Sequence, residues 1–217
     1  MIASFWNVDP VKILSCRELS CVLDDLACRA PRSASTRMNR VIFRLGCCCG
    51  LRVSEIGALQ LDDVCLGSGR PHLRIRPEGA KGKKARVVPL WWDATTLEDI
   101  KAWKNEREGQ GARPSDPFIC CLWPSRFGKR LIRHTIRERF RTSCKILGLE
   151  RLRTLTIHHG RHTFISHALA GGRSLAEVQR AAGHSSLHTT SAYLHIAVDD
   201  DGSPGNLFGG GQSNRNS

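Results

Sequence analysis

The apolar residues of this chain recur at helical spacing almost throughout, and only one short stretch alternates as strands do. Leu14, Leu19, Val22, Leu23 and Leu26 form a stripe, with Ser15 as N-cap and Glu18 three residues on, the pattern of a capping box. Val41, Ile42 and Leu45, then Val53, Ile56 and Leu59, form two more stripes interrupted at Gly50. Residues 95–108 read as a helix closed by Gly109-Gln110-Gly111 and Pro114, and residues 158–169 as one stopped by Gly171-Gly172. Ser174 and Glu177 make a second capping box, opening a helix over 175–182 that ends at Gly183. Ser185 or Ser186 can cap a last helix through Tyr193 to Ile196. Against these, 72–76 and 85–90 are β-rich, and the glycine- and lysine-rich link 77–84 predicts a hairpin. The expected fold is α+β, mainly α-helical with a small antiparallel β-sheet. Residues 1–11 read as a lead-in, 12–198 as one domain, and 199–217, rich in Gly, Ser and Asn, as a flexible tail.

Charge narrows the partner. Lys plus Arg is 33 against 20 Asp plus Glu, a formal +13, which points to a polyanion, and nucleic acid is the first candidate. The excess is concentrated: 126–153 holds ten basic residues against Glu138 and Glu150. Leu131, Ile132, Ile136, Phe140, Ile146 and Leu147 run through it at helical spacing, so the segment reads as one basic amphipathic helix. Arg130, Arg133 and Arg137 in it, with Lys83 and Lys84 in the hairpin link, are the candidate DNA-binding residues. No apolar run approaches the length of a membrane-spanning helix, and Met1–Pro10 lacks the features of a secretion signal. The expected setting is the cytoplasm of a bacterium or phage-infected cell, at the nucleoid. The ten cysteines include no C-x-x-C pair, so they read as small buried hydrophobes rather than zinc ligands or a disulfide framework. A zinc-binding regulator is correspondingly the weakest alternative.

Tyr193 is the single tyrosine of the chain, and a phenol becomes a nucleophile when its proton is removed and its target is held in line. His184 stands nine residues before it, directly after the helix-ending Gly183. His158 and Arg161, three apart on one helix, project from the same face. Arg52 lies at the interruption between two apolar stripes, and its guanidinium fork suits two oxygens of one phosphate. A pair of such arginines would stabilise a five-coordinate phosphorus transition state. Lys81, between Gly79 and Gly82 in the hairpin link, is an ammonium able to protonate a leaving oxygen. His162, His167, His188 and His195 fall on no position with an evident chemical task, and His159 competes with its neighbour His158.

Gly50-Leu51-Arg52-Val53-Ser54-Glu55 and Gly79 to Leu90, which includes Lys81-Gly82-Lys83-Lys84 and Arg86-Val87-Val88-Pro89, resemble the first two motifs of the tyrosine recombinase (phage integrase) family. His158-His159-Gly160-Arg161-His162 resembles its His-x-x-Arg-His box, and Gly183-His184-Ser185-Ser186 followed by Thr189-Thr190-x-x-Tyr193 its closing motif. Order and separation agree from about residue 12 to 196. The resemblance implies a DNA breaking-rejoining catalytic domain. In it Tyr193 forms a 3′-phosphotyrosyl link, Arg52, Arg161 and His184 hold the non-bridging oxygens, Lys81 serves as general acid, and His158 assists proton transfer at the nucleophile. It also implies no metal and no nucleotide cofactor, and a tetramer on paired DNA sites. The sequence departs from the pattern at His159, at Gly160, where a looser helical turn is expected, and at Ala182. The family's amino-terminal DNA-clamping domain is not supplied by residues 1–11, which implies a catalytic domain, alone or within a longer chain. Two alternatives stand beside a recombinase: the same chemistry as a type IB topoisomerase, or an idle DNA-binding remnant.

Overall fold

A computed structural model of the chain describes residues 9–67, 69–77 and 85–194. Helix α1 (Cys16–Arg29) opens with the expected capping box, the Ser15 hydroxyl accepting from the Glu18 N–H at 3.2 Å and the Glu18 carboxylate from the Ser15 N–H at 2.9 Å. Helix α2 (Ala34–Cys47) packs against α1 and three further helices, α4 (Ala94–Gly109), α5 (Arg133–Ser143) and α7 (Ile157–Ala170). It is therefore buried on most sides, with Met38, Val41, Ile42, Phe43, Leu45 and Cys47 all in the core. Its charge leaves along one row, where Arg37 pairs with Glu106, Arg40 with Asp99, and Arg44 with both Asp93 and Asp99. These three arginines hold α2 to α4 and take no part in any basic surface.

After α3 (Val53–Ala58), strands β1 (Val64–Cys65), β2 (His72–Ile75) and β3 (Arg86–Pro89) form an antiparallel sheet in that order. The β2–β3 register pairs Leu73 with Val88, which with Ile75 face the core. The hairpin and the α+β class are as expected. Strand β1 was not, because two residues carry no readable alternation. The link 78–84, with Lys81, Lys83 and Lys84, lies outside the described residues, as do 1–8 and 195–217.

The basic segment is not the single helix its spacing suggested. Helices α5 and α6 (Gly148–Thr154) are separated by a 3-10 turn over Cys144–Leu147, and Gly148, where that turn ends and α6 begins, has φ +86°, outside the right-handed helical region. Arg130 precedes α5 on an extended stretch opposite Cys120. Two of the basic side chains turn inward: Arg139 donates to Ser35 and Asn39, and Arg151 to Glu18 and the carbonyls of Val11 and Ile13. Helix α8 (Leu175–Ala182) has the limits its capping box and Gly183 imply, Gly183 taking φ +67°. Helix α9 (Leu187–Ser191) is shorter than expected, and Tyr193 sits in the turn beyond it, its N–H donating to the Thr190 carbonyl.

Close packing of α2 on α7 explains one departure noted above. A Cβ on Gly160 would stand 3.0 Å from the Gly46 carbonyl carbon and 3.1 Å from Cys47 Sγ. Gly160 therefore tightens the helix crossing rather than loosening its turn. The cysteines divide. Cys47, Cys48, Cys49, Cys120 and Cys144 are buried as expected, but Cys21 and Cys28 are exposed. They lie two turns apart on the polar side of α1, away from buried Leu19, Val22, Leu23 and Leu26. Among the described residues no helix is long and apolar enough to cross a membrane.

Besides the main core there is a smaller one, made of Trp92, Phe164, Ile165, Ala168, Val178, Ala181, Ala182 and Tyr193. Gly50 joins the α2–α3 turn to it: its φ is +64°, and a Cβ there would lie 2.4 Å from Phe164 Cδ1. Left-handed strain and overpacking together should make Gly50→Ala cost about 3 kcal/mol, or roughly 6–12 °C in thermal unfolding at this size. Gly128→Ala, at φ +79° with nothing within 4 Å, should cost only about 1 kcal/mol. Equal losses in the two melts would refute the steric account.

Candidate active site

The site is organised around a buried carboxylate that the sequence reading did not single out. Arg52 is the N-cap of α3, and Glu55 is its third residue, so the Glu55 side chain folds back on the helix start. It accepts from the Arg52 N–H at 2.7 Å and from Arg52 Nη1 at 3.0 Å. From β3, Arg86 meets the same carboxylate with both Nη atoms, at 2.6 and 2.8 Å, and donates through Nε to the Ala181 carbonyl at 2.9 Å. Burial alone would push the Glu55 carboxyl up. The hydrogen bonds and charge of Arg86, then those of Arg52, outweigh it, and the group lies below the ordinary carboxylate value.

Arg161, from α7, is buried beside this cluster, and among the described residues it forms no ion pair with a carboxylate. Its two Nη atoms donate to the carbonyls of Gly50, at 2.7 Å, and Ala182. Burial first, then the charges of Arg52 and Arg86, lower its pKa to about 9. A guanidinium in that state sits in a positive field that an anion would relieve. The small residue Ala182 matters here through its carbonyl rather than its side chain.

His184 follows the left-handed Gly183, whose space is limited by Arg86: a Cβ there would lie 2.7 Å from Arg86 Cδ. His184 Nδ1 is 2.8 Å from the Thr190 hydroxyl. With that hydroxyl donating, the neutral ring carries its proton on Nε2, as a donor. Burial, then Arg161, Arg52 and Arg86, bring its pKa down to about 4.

Tyr193 is 6% exposed and its hydroxyl lies 2.6 Å from His162 Nδ1, the two rings stacking at 5.8 Å. Burial raises the phenol pKa and Arg161 opposes that in part, so the oxygen is protonated at neutral pH. His162, read from sequence as structural, is thus the ring at the phenol. Among the described residues no hydrogen bond joins His158 to Tyr193. His158 is exposed on the first turn of α7, its pKa lowered by burial and by Arg137, Arg161 and Arg52. His159 turns back to accept the Thr156 N–H at 2.8 Å as part of the α7 cap, which separates its role from that of His158. His167 and Thr163 bind the peptide of Leu14 through its carbonyl and N–H, a structural role as expected.

Arg52, His158, Arg161, His184 and Tyr193 are therefore gathered around one another, and Lys81 lies outside the described residues. An open cleft of about 1020 Å³ runs beside them, lined by Arg52, Arg86 and His184 with Arg70, Arg180 and Trp91. Arg130, Arg133 and Arg137 are exposed, and the charge of Arg137 reaches His158. Sequence reasoning missed Glu55, Arg86, His162 and Thr190. For Glu55 a signal existed, since it stands where a capping-box acid belongs relative to Arg52. Arg86, His162 and Thr190 stand within the quoted motifs, but the partners of Arg86 and His162 are 31 residues away, and the motifs alone give none of the three a contact.

The pattern of the phage integrase family matches residues 23–199. Tyrosine recombinase XerD of Pseudomonas putida is 35% identical over 159 residues, covering 73% of this chain and 50% of that protein. Tyrosine recombinase XerC of Chlamydia muridarum is 34% identical over 175 residues, covering 78% and 52%. The chain thus spans about half the length of the curated relatives it matches. Among solved structures, the post-cleavage complex of XerH site-specific recombinase with a palindromic difH substrate has a TM-score of 0.66 at 27% identity, over 84% of this chain and 49% of that one. XerA recombinase shares the fold with a TM-score of 0.68 at 21% identity, over 93% and 62%.

The two low imidazole values carry a stability signature. His162 and His184 fall from the ordinary 6.5 to about 4 in the folded chain. Between those values the unfolded chain binds more protons, so stability is complete above pH 6.5 and declines toward pH 4. The melting temperature should fall across that window, and the His162→Asn/His184→Asn double variant should lose the larger part of the slope. Melts at fixed ionic strength check this; an unchanged slope would show that neither ring is held neutral.

Proposed function

The chain belongs to the phage integrase family, and from that premise we propose that it cuts and rejoins double-stranded DNA at specific sites through a covalent 3′-phosphotyrosyl intermediate on Tyr193. The observation that carries the reading is Arg161: a guanidinium that forms no ion pair with a carboxylate among the described residues, its pKa pushed down by burial and then by Arg52 and Arg86, beside the single phenol of the chain. A scissile phosphate supplies the missing negative charge. Arg52 and Arg161 hold its non-bridging oxygens, and His184 donates from Nε2 as the phosphorus becomes five-coordinate. Glu55 and Arg86 are positioning residues, since they act through Arg52 and the end of α8. Lys81 protonates the departing 5′ oxygen, a role that rests on the family motif. The phosphotyrosine bond keeps the energy of the broken linkage, so rejoining needs no nucleotide.

DNA reaches this site along the exposed arginines of the 130–137 segment, with Arg139 and Arg151 excluded because they are tied within the fold. Lys83 and Lys84, which lie outside the described residues, are assigned to the same DNA contact on the family motif alone. Assembly as a tetramer on paired sites and action in the bacterial cytoplasm follow from the same family reading.

Incubated with a pool of nicked duplexes of randomised central sequence, the chain should form a covalent adduct that survives denaturation and is absent in Tyr193→Phe. Adducts that persist in Tyr193→Phe would end the proposal. Relaxation of arbitrary supercoiled plasmid without site preference would instead favour topoisomerase action. Binding should weaken steeply with salt. Replacing Arg133 and Arg137 by alanine should reduce the slope of log affinity against log salt by about 1–2, measured by titrating a labelled duplex.

A further inference from the structure

The phenol of Tyr193 must lose a proton to attack, and its surroundings make ionisation harder than in water. Burial raises its pKa, and the cation that opposes this, Arg161, does not fully compensate. A group that accepts the proton as the oxygen–phosphorus bond forms is therefore required. One described side chain is in hydrogen-bond contact with the oxygen: His162, with Nδ1 at 2.6 Å and its ring stacked on the phenol.

We propose that His162 is the general base of the reaction, taking the Tyr193 proton on Nδ1. The inference rests on the recombinase reading above. The required tautomer carries its proton on Nε2 and presents the Nδ1 lone pair to the phenol. In the forward step the Tyr193 O–H proton moves to Nδ1 and the phenol oxygen bonds to phosphorus. The bond from phosphorus to the 5′ oxygen breaks, and that oxygen takes a proton from the Lys81 ammonium. On rejoining, the His162 imidazolium returns its proton to the departing tyrosine oxygen.

The charges around His162 fit a base that is free before DNA arrives and stronger afterwards. Arg161, His158 and His159 face it from its own helix, Lys12 from the turn before α1, and His184 from beyond α8. Together with burial these keep the ring neutral in the unliganded protein, with a pKa of about 4. A phosphate docked on Arg161 offsets that positive field and raises the proton affinity of His162 when it is needed. His158 lacks this contact with the nucleophile and stands exposed toward Arg137, so its place is nearer the DNA.

The test uses the full chain and the nicked duplex pool, with adduct formation followed in a single turnover. His162→Ala and His162→Gln should each slow adduct formation by roughly 100- to 10,000-fold, with duplex affinity unchanged. His162→Gln keeps a hydrogen-bonding group but cannot take a proton, so it separates base from mere positioning. The wild-type rate should level off once His162 is unprotonated. The residual rate of His162→Gln should instead climb about tenfold per pH unit toward the phenol pKa, because only phenolate then attacks. Free imidazole should partly restore His162→Gly. A His162→Gln rate equal to wild type, or a pH profile that does not change, overturns this assignment while leaving the recombinase reading intact. Adducts that survive Tyr193→Phe overturn that reading itself.

Discussion

The site depends on a carboxylate that gathers like charges. Left to themselves, Arg52 and Arg86 would repel, and neither would sit at a fixed point beside Arg161. Glu55 accepts four hydrogen bonds, one from a backbone N–H and three from the two guanidinium groups, while buried beneath them. Stripping such a group of one partner typically costs about 3–5 kcal/mol, because the remaining charge stays buried and unpaired. One negative charge against three arginines leaves the cluster net positive. Burial first, and this imbalance after it, depress the pKa of Arg161 and of His184. The stability of the fold thus holds this excess of positive charge in place.

Much of this was legible in the residues, and the failures have physical causes. Capping boxes at Ser15 and Ser174 set two helix starts because they are local and use only four residues each. Gly183 fixed the end of α8 and the place of His184 for the same reason. The long basic stretch misled because hydrophobic period ignores backbone breaks: Gly148 at positive φ divides what looked continuous. Its arginines are also not equivalent. Arg139 and Arg151 serve as internal struts, a fact that composition cannot reveal. Glu55 was readable from its spacing to Arg52, whereas the bonds of Arg86 to Glu55 and of His162 to Tyr193 join residues 31 apart. Such contacts exist only once the helices have packed.

The departures from the family pattern make sense as packing. Gly160 sits where α7 meets α2 at Gly46 and Cys47, so a bulkier residue would separate the helices and move Arg161 with them. Cys47 lies at that crossing, Cys48 turns toward Arg44 and the start of α4, and all three cysteines of the triplet are buried. Burial pushes the thiols of Cys47 and Cys49 far above their ordinary value, leaving them inert and apolar. Small side chains on both helices bring the carbonyl of Gly50 within reach of Arg161.

Tyr193 is held differently from the arginines. Helix α9 has five residues, too few to be stable alone, since helix nucleation is unfavourable and each added residue contributes little. What keeps Tyr193 in position is therefore tertiary: its ring in the small core with Phe164 and Val178, its hydroxyl on His162, and Thr190 on His184. Two of those three ties run through imidazoles of the site itself. Thr190 and Tyr193 share the same short turn, the Tyr193 N–H donating to the Thr190 carbonyl, so the contacts of His184 and His162 brace one and the same segment.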